Sequence, residues 1–242
     1  MNKKQYLSIV ITCYNEEAKI GRDIEAVNDF ISKIKKPIEL IIVDDRSHDN
    51  TIKIVKEKQK KYPWVKLLSV KGEIHGKGIG LKIGIMAAKG KYIMFADAGL
   101  CVPYKYARDG INKLKEGYDC ALASRASKKS TITKKQPLYR QIGSKLFGFI
   151  VRNLLGIPRS IKDTQCGFKI YKNEVAKKLF RELKTNGFMF DSEIILRAKK
   201  AKYKMATFPV EWKNDDDTKF RPLSGSLVIL KDLLKMKLKY HL

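Results

Sequence analysis

Acidic and hydroxyl side chains follow several short apolar runs in the sequence. Residues 12–17 read Thr-Cys-Tyr-Asn-Glu-Glu after one run, Asp44 and Asp45 follow a second, and residues 97–99 read Asp-Ala-Gly after a third. Carboxylates accept hydrogen bonds from sugar hydroxyls and bind hard divalent cations. Gathered in one place, these residues suit a hydroxyl-rich ligand or a metal-chelated phosphate. Acidic residues after a single apolar run are also typical of a helix N-cap, as at Asp44, Asp45 and Ser47.

A lysine flanked by glycines, Gly76-Lys77-Gly78, stands where a helix is predicted to begin. Glycines permit a tight backbone, and the amide groups of a helix start can face an anion together with the lysine. The spacing matches neither G-x-x-x-x-G-K-[ST] nor G-x-G-x-x-G, which excludes those two nucleotide motifs.

Residues 125–145 contain seven basic residues and no acidic one. Arginine suits bidentate phosphate binding. A phosphate monoester, with a second pKa of about 6, is largely dianionic at pH 7, so as a nucleophile it needs cationic groups and no general base. A hydroxyl acceptor does need a base. Asp191 is the candidate base, and a polar orienting role or a helix cap is its alternative interpretation.

The apolar runs alternate with stretches of helical periodicity, which predicts an α/β fold with a mostly parallel sheet and helices on both faces. In such sheets ligands bind beyond the carboxyl ends of the strands, where the acidic residues stand. The predicted strands are 8–13, 38–43, 65–70, 92–96 and 120–123, and the predicted helices are 16–35, 51–62, 79–88 and 106–116.

The composition excludes several classes of protein. The chain has 242 residues, 44% of them hydrophobic, and 51 Lys and Arg against 25 Asp and Glu give a formal net charge of +26. This suits one large α/β domain and excludes disordered, collagen-like and coiled-coil chains. The four scattered cysteines are expected to be reduced and buried rather than zinc ligands. The charge favours polyanions, but acidic strand ends and the lack of a recognised module argue against nucleic acid.

Two segments have an amphipathic pattern. In residues 141–155 the polar Gln141, Lys145 and Arg152 share one side of a helix and nearly all other positions are apolar. Packing on the sheet and lying in a lipid interface both explain that pattern. A basic amphipathic helix is predicted at 222–242, after one domain over 1–221. No run is long and apolar enough to span a bilayer and no export signal is visible, so we expect a cytosolic, peripheral membrane protein.

The order of the motifs resembles the inverting glycosyltransferases of family 2, which have the GT-A (Rossmann-like) fold. Tyr-Asn-Glu-Glu, Val-Asp-Asp-x-Ser, Gly-Lys-Gly and Asp-Ala agree with that family in order and spacing over roughly residues 6–125. The segments at 163–169, 190–194, 209–212 and 218–222 are similar to the polyprenyl-phosphate branch, the dolichyl-phosphate mannosyl- and glucosyltransferases. The resemblance covers nearly the whole chain.

The resemblance implies roles for the matching residues. The nucleotide-sugar contacts are Thr12, Tyr14, Glu16, Asp44, Asp45, Lys77, Asp97, Ala98 and Lys219. The acceptor-phosphate contacts are Arg125, Arg140 and Ser144. The catalytic candidates are Asp97, Arg125 and Asp191, with Asp97 also the metal ligand. The cofactor implied is Mg²⁺ or Mn²⁺.

One departure from the family pattern concerns the metal. The branch usually has D-x-D after the strand that precedes residue 97, whereas here residue 99 is glycine and Cys101 replaces a further oxygen ligand. Three interpretations stay open. Asp97 holds the ion weakly with the diphosphate, cationic side chains such as Lys219 and Arg221 replace it, or the protein binds a nucleotide sugar without efficient catalysis.

The resemblance implies transfer of a hexose, glucose or mannose, from a UDP- or GDP-sugar to a polyprenyl (dolichyl) phosphate at the cytosolic face of a membrane. UDP-glucose is the first donor hypothesis, because the segment at 163–169 favours the glucosyl-type subgroup. A saccharide or protein hydroxyl acceptor is the alternative on the same fold.

Overall fold

In the computed structural model, which describes residues 5–215, 217, 233–234 and 236–238, seven strands form one sheet. The sheet order is β3-β2-β1-β4-β7-β5-β8, and a separate pair joins β6 to β9. The strands are β1 Leu7–Cys13, β2 Ile38–Asp44, β3 Val65–Ser69, β4 Tyr92–Asp97, β5 Cys120–Ser124, β6 Thr131–Lys134, β7 Phe168–Lys172, β8 Met205–Pro209 and β9 Glu211–Lys213. The helices are α1 Ile20–Ile34, α2 Thr51–Lys61, α3 Lys77–Ala87, α4 Ala107–Lys115, α5 Leu138–Leu154, α6 Asn173–Arg181 and α7 Phe190–Lys200.

The sheet is covered on both faces, as the continuous apolar strands predicted. Alternate residues of β1, such as Ile9 and Val10, belong to two separate clusters of buried side chains. One cluster contains apolar residues of α1, α2 and α4, and the other contains those of α3, α6 and α7. The predicted α/β fold class is therefore confirmed.

Strand β7 was not predicted from the sequence. It lies between β4 and β5 and runs antiparallel to both, whereas the remaining neighbours in the sheet pair in parallel. Its segment had been interpreted only as a motif, because a strand that returns from a distant part of the chain leaves no alternation with helices. With β7 between them, β4 and β5 point the same way, so both end at the same edge.

The first helix begins later than predicted, at Ile20 rather than at residue 16. Asn15 has a positive φ of 53°, and the backbone N–H of Glu16 donates to Thr51 Oγ1 at 2.8 Å. This bond ties the segment after β1 to the start of α2. Residues 14–17 consequently form a loop over the end of the sheet.

Helix α5 answers the question left open about residues 141–155. Within the helix only Val151 is buried, and it packs in the second cluster together with Leu155. The earlier turns leave one apolar stripe in solvent, consisting of Leu138, Tyr139, Ile142, Leu146, Phe149 and Ile150. Phe147 and Leu154 also pack against this cluster while partly buried, so core packing accounts for one face of the helix and leaves the stripe exposed.

The proposed helix at 222–242 lies mostly outside the described residues. The described positions 233–234 and 236–238 are helical. Leu233 and Met236 are buried in the second cluster, and Leu234 and Leu238 are exposed. In the part of the chain that the structure describes, no helix has the length and apolar character needed to cross a membrane.

Candidate active site

Three adjacent parallel strands bring Thr12, Asp44 and Asp97 to one edge of the sheet. Strand β1 lies between β2 and β4, with Cys13 in register with Asp44 and Thr12 in register with Asp97. Arg125 follows the end of β5 at the same edge. This carboxyl edge is where open α/β sheets bind ligands.

The two aspartates after β2 have different environments. Asp44 is buried, and its carboxylate accepts hydrogen bonds from the backbone N–H groups of Arg46 and Ser47 at 3.0 to 3.3 Å. Asp45 accepts from the N–H of Gly76 through Oδ2 at 2.9 Å, while its buried Oδ1 has no hydrogen-bond partner among the described residues. Asp44 therefore fixes the turn, and Asp45 keeps an acceptor for a ligand.

The loop after β1 presents an aromatic side chain next to these aspartates. His48 donates its backbone N–H to Asn15 Oδ1 at 2.8 Å, which joins this loop to the one after β2. Tyr14 is 44% exposed, and its ring meets that of His48 edge to face at 6.4 Å between centroids. Tyr14 thus offers a ring surface at the mouth of the site.

Asp97 and Lys77 form an ion pair at the centre of the edge. Burial is the largest single influence and disfavours the ammonium of Lys77, but the charge and hydrogen bond of Asp97 together with the charge of Asp191 outweigh it and raise the pKa of Lys77. A Cβ at Gly167 would lie 2.0 Å from Asp97 Oδ2. The absence of a side chain at residue 167 is therefore what gives the carboxylate its place.

The backbone at Gly99 has a positive φ of 96° and lies between two other aspartates. Its N–H donates to Asp23 Oδ2 at 2.8 Å. On its open side, Asp215 Oδ2 stands 3.0 Å from where a Cβ of residue 99 would be. The carboxylate of a distant loop therefore occupies the space next to the position where the D-x-D pattern lacks one.

Lys19 is buried within an acidic group in front of α1. Its Nζ lies 2.6 Å from Glu16 Oε2, 2.7 Å from Asp215 Oδ2 and 3.4 Å from Asp217 Oδ2. Burial is the largest single influence and acts against the ammonium, but the hydrogen bonds and charges of Asp215 and Glu16 together outweigh it and raise the pKa of Lys19. Three carboxylates around one ammonium leave this corner of the site net negative.

Asp191, the candidate general base, is buried and held by a lysine. Lys169 Nζ donates to Asp191 Oδ1 at 2.5 Å and to the carbonyl oxygen of Cys166 at 2.7 Å. Burial raises the pKa of Asp191, against the influence of Lys169 and Lys77. A carboxylate in a sealed ion pair suits an orienting role at the start of α7.

Arg125 is engaged by a partner that the sequence did not reveal. Its Nε and Nη2 donate to the two carboxylate oxygens of Asp163 at 2.7 and 2.8 Å, and its backbone N–H also donates to Asp163. The guanidinium lies over the ring of Trp212 at 5.3 Å. The bidentate pair occupies one edge of the guanidinium and leaves Nη1 as its remaining donor nitrogen.

The other proposed acceptor residues lie on α5. Arg140 is half-buried, and its Nε is buried without a hydrogen-bond partner among the described residues. Ser144 is exposed and donates to the carbonyl oxygen of Gln141 at 3.0 Å. No contact among the described residues joins either of them to Arg125. Lys219, Arg221 and the rest of residues 218–222 lie outside the described residues.

The Gly76-Lys77-Gly78 turn differs from its predicted use in one respect. The N–H of Gly76 donates to Asp45, and that of Gly78 donates to the carbonyl oxygen of Asn186 at 2.7 Å. Both amides are therefore already bonded within the protein, and neither is free to bind an anionic ligand. Lys77 itself supplies the positive charge of this turn.

Sequence reasoning missed the residues that complete these pairs: Lys19, Asp163, Lys169 and Asp215. Lys169 is 1% exposed within β7, and a lysine in the middle of an apolar strand was the available signal. Asp163 and Asp215 had no local signal, because Arg125 lies 38 residues from Asp163 and Lys19 lies 196 residues from Asp215. Lys19 had a local signal in Glu16, three residues earlier.

The fold and this edge define a class of protein. A mostly parallel sheet carries acidic groups, a lysine and an exposed aromatic ring at its carboxyl edge, with cationic residues alongside. This arrangement suits a hydroxyl-rich, phosphate-bearing ligand and is that of a GT-A glycosyltransferase.

The comparisons with known proteins identify the family. The family model described as glycosyl transferase family 2 matches residues 8–180, and the chain belongs to that family. Similar curated proteins are the dolichyl-phosphate beta-glucosyltransferases of Dictyostelium discoideum and Saccharomyces cerevisiae, each 31% identical over 98% of this chain and 75% of the relative. The human protein of that name is 29% identical over 97% of this chain and 75% of its own length. The chain is a glycosyltransferase similar to the dolichyl-phosphate branch, as the motifs predicted.

Solved structures agree with the fold. Glucosyl-3-phosphoglycerate synthase from Mycobacterium tuberculosis, in complex with Mn²⁺, UDP and glucosyl-3-phosphoglycerate, has a TM-score of 0.70 at 16% identity, covering 98% of this chain and 80% of that one. Its complex with Mn²⁺, UDP-glucose and phosphoglyceric acid has a TM-score of 0.71 at 16% identity, covering 98% and 79%. At this identity the likeness establishes the GT-A fold alone.

Within the described residues, no three His, Cys, Asp or Glu side chains converge as a metal-binding group. Cys101 is a poor substitute, because sulfur is a soft ligand and hard divalent cations prefer oxygen. A divalent cation that relies on substrate phosphates needs only one or two carboxylates from the protein. Asp97, and Asp215 with Oδ2 3.0 Å from the Cβ position of residue 99, are oxygen donors that would fit this requirement.

Proposed function

We propose that this chain transfers glucose from UDP-glucose to a polyprenyl (dolichyl) phosphate at the cytosolic face of a membrane, with inversion at the anomeric carbon. One observation carries the proposal: an acidic carboxyl edge suited to a nucleotide sugar adjoins an acid-free, basic segment that ends in an exposed apolar helix. Similarity to dolichyl-phosphate beta-glucosyltransferases supports the same donor and acceptor. Because UDP-glucose is α-linked, a β-linked product implies inversion.

The reaction needs little acid–base chemistry from the protein. A phosphate oxygen of the lipid forms a bond to C1 of glucose while the bond from C1 to the β-phosphate oxygen breaks, and UDP leaves with that electron pair. The lipid phosphate is already largely dianionic at pH 7, so no base has to remove a proton. The sealed pair of Asp191 with Lys169 supports a phosphate acceptor over a hydroxyl one. Positioning and neutralisation of the leaving diphosphate remain as the main tasks.

Each side of the site has residues for one substrate. Asp45 and Tyr14 are placed to meet the nucleoside, through the unpaired Oδ1 and the exposed ring. Lys77 and Asp97 are placed to meet the diphosphate and the sugar. On the acceptor side, Arg125 acts mainly as a positioning residue through Asp163, while Arg140 has an unpaired buried Nε to offer.

A Mg²⁺ or Mn²⁺ ion would be held by Asp97, Asp215 and the donor diphosphate. The net negative corner around Lys19 favours a cation there. When bound, such an ion neutralises charge on the leaving diphosphate. The test is calorimetric titration of UDP with and without Mn²⁺. Asp215→Asn should lose the gain in affinity that Mn²⁺ gives, whereas Asp217→Asn, a more exposed neighbour of Lys19, should keep it. Equal gains in both variants would contradict the assignment of Asp215.

The exposed stripe of α5 is proposed to rest on the membrane that carries the acceptor. Exposed lysines at 128, 129, 134, 135 and 145 adjoin the stripe. An apolar face flanked by basic residues is typical of helices that lie at the surface of an anionic bilayer.

The proposed activity is tested with radiolabelled UDP-glucose and GDP-mannose, each incubated with polyprenyl phosphate in vesicles. We expect label from UDP-glucose to appear in a chloroform-soluble, acid-labile product. Label that appears in this product only from GDP-mannose would show that the donor is GDP-mannose and not UDP-glucose. Label that remains in the aqueous phase with both donors would contradict the lipid acceptor.

A further inference from the structure

The turn that carries Lys77 is packed against the backbone of residues 184–187. Gly78 donates its N–H to the carbonyl oxygen of Asn186 at 2.7 Å. A Cβ at Gly78 would lie 2.2 Å from the carbonyl oxygen of Thr185, and one at Gly76 would lie 2.6 Å from that of Asn186. The two glycines are therefore required by this contact, and the position of the turn depends on where residues 184–187 lie.

A single buried carboxylate holds that segment. Glu193, in α7, is 1% exposed and accepts the backbone N–H of Thr185 at 2.8 Å and that of Lys184 at 3.2 Å. Arg197 fixes the carboxylate in turn, through Nε at 2.9 Å and Nη2 at 2.7 Å. Residues 184–187 form no helix or strand, so these bonds help to define their path together with the bond from Gly78 to Asn186.

We propose that Glu193 is a positioning residue for Lys77. Its carboxylate sets residues 184–187, these set the Gly76–Gly78 turn, and the turn directs the ammonium of Lys77 to Asp97 at the diphosphate side of the site. The assignment of Lys77 to the donor diphosphate rests on the proposed function. The mechanical link from Glu193 to the turn does not depend on the proposed function.

This link predicts an effect on one substrate only. Removing the carboxylate should loosen residues 184–187 and misplace Lys77, and misplacement of a binding group by about 1 Å can cost about 100-fold. We expect Glu193→Ala to raise KM for UDP-glucose and Kd for UDP by about 10- to 100-fold. KM for polyprenyl phosphate should stay within about twofold, because the acceptor residues lie on other elements. Glu193→Gln, which keeps one acceptor oxygen, should fall between Glu193→Ala and the unchanged protein.

The chain offers a matched control in Glu182. Its carboxylate also binds Arg197, at 2.8 Å to Nη1, but it is largely exposed and does not touch residues 184–187. Glu182→Ala therefore removes an ion pair of the same arginine while leaving the segment held. Its KM values should match those of the unchanged protein.

A double-mutant cycle with Lys77→Met separates positioning from general destabilisation. If Glu193 acts through Lys77, Glu193→Ala should add little to the loss of UDP affinity already caused by Lys77→Met. Fully multiplicative losses would overturn the proposal, and so would equal rises in KM for both substrates.

Hydrogen exchange at residues 76–78 tests the mechanical link without any substrate. Exchange should be faster in Glu193→Ala than in Glu182→Ala. If Glu193→Ala does not fold, the same comparison is made with Glu193→Gln. Unchanged exchange in the Glu193 variants would refute the link even if UDP binds. Faster exchange in a protein that neither binds UDP nor transfers glucose would keep the link and refute the proposed function.

Discussion

At the scale of single residues, the carboxyl-edge groups show what a sequence does and does not predict. Thr12, Asp44 and Asp97 were predicted to converge because each follows a strand, and the ends of parallel strands share one edge. Asp215 and Asp163 were not assigned to this edge, because each reaches it from a loop far along the chain. Strand periodicity places the ends of strands, but it contains no information on which later loop returns to them.

Gly167 provides the sharpest residue-level prediction. A methyl group there would lie 2.0 Å from Asp97 Oδ2, so Gly167→Ala must displace the carboxylate that faces Lys77. We expect kcat/KM for UDP-glucose to fall by about 100-fold, the scale of a misplaced catalytic group. Gly21→Ala is the control, since its Cβ would meet Ile54 at an ordinary 3.4 Å. Equal kinetics in the two variants would show that Asp97 does not need its observed position.

Asp23 gives a prediction about pH. Burial raises the pKa of its carboxyl from 3.8 to about 6, against the hydrogen bond from Gly99. The folded state therefore binds the proton more tightly than the unfolded state, so stability from this group is lost as pH rises from about 4 to about 6. A shift of this size corresponds to about 3 kcal/mol.

Asp23→Asn removes this titration while keeping an oxygen for the N–H of Gly99. Denaturant unfolding at pH 4 to 7.5 should show the stability of the unchanged protein falling relative to the variant by about 3 kcal/mol as pH rises. Parallel pH profiles would mean that Asp23 keeps an ordinary pKa.

At the scale of elements, most boundaries agreed with the sequence to within a few residues, and the exceptions have physical causes. Strands β1, β2, β4 and β5 were predicted because buried parallel strands are continuously apolar. The pair β6 and β9 was not, since both strands lie at the surface and have no such run. Helix α5 was predicted, but periodicity alone did not distinguish a core face from an exposed one, because both appear as the same stripe.

The exposed stripe of α5 predicts a loss of membrane binding on substitution. Replacing Ile142 and Phe149 together by glutamate should lower partitioning to vesicles containing phosphatidylserine by at least about tenfold, because each apolar side chain contributes about 1.5–3 kcal/mol when buried. Vesicle co-sedimentation measures this change. Ile74→Glu, a charge introduced at an equally exposed isoleucine after β3, is the control. If the control weakens binding as much, α5 is not the contact.

At the scale of the whole molecule, the net charge of +26 bears on the proposed lipid acceptor. If that acceptor lies in an anionic bilayer, the excess of lysine should attract the chain to it, since each basic residue close to the surface contributes about 1 kcal/mol. Salt shortens the range of this attraction, from about 10 Å at 0.1 M to about 3 Å at 1 M. Transfer to a lipid acceptor should therefore depend on the composition of the bilayer as well as on the site.

We expect the initial rate with polyprenyl phosphate in phosphatidylserine vesicles to exceed that in phosphatidylcholine vesicles at 0.1 M salt, and the difference to vanish near 1 M. The same acceptor in neutral detergent micelles is the control, because no anionic surface is then present and the rate should vary far less with salt. A rate that is the same in both kinds of vesicle would show that the net charge does not promote transfer to the lipid. Among the described residues, the exposed apolar face of α5 would then be the proposed contact with the lipid.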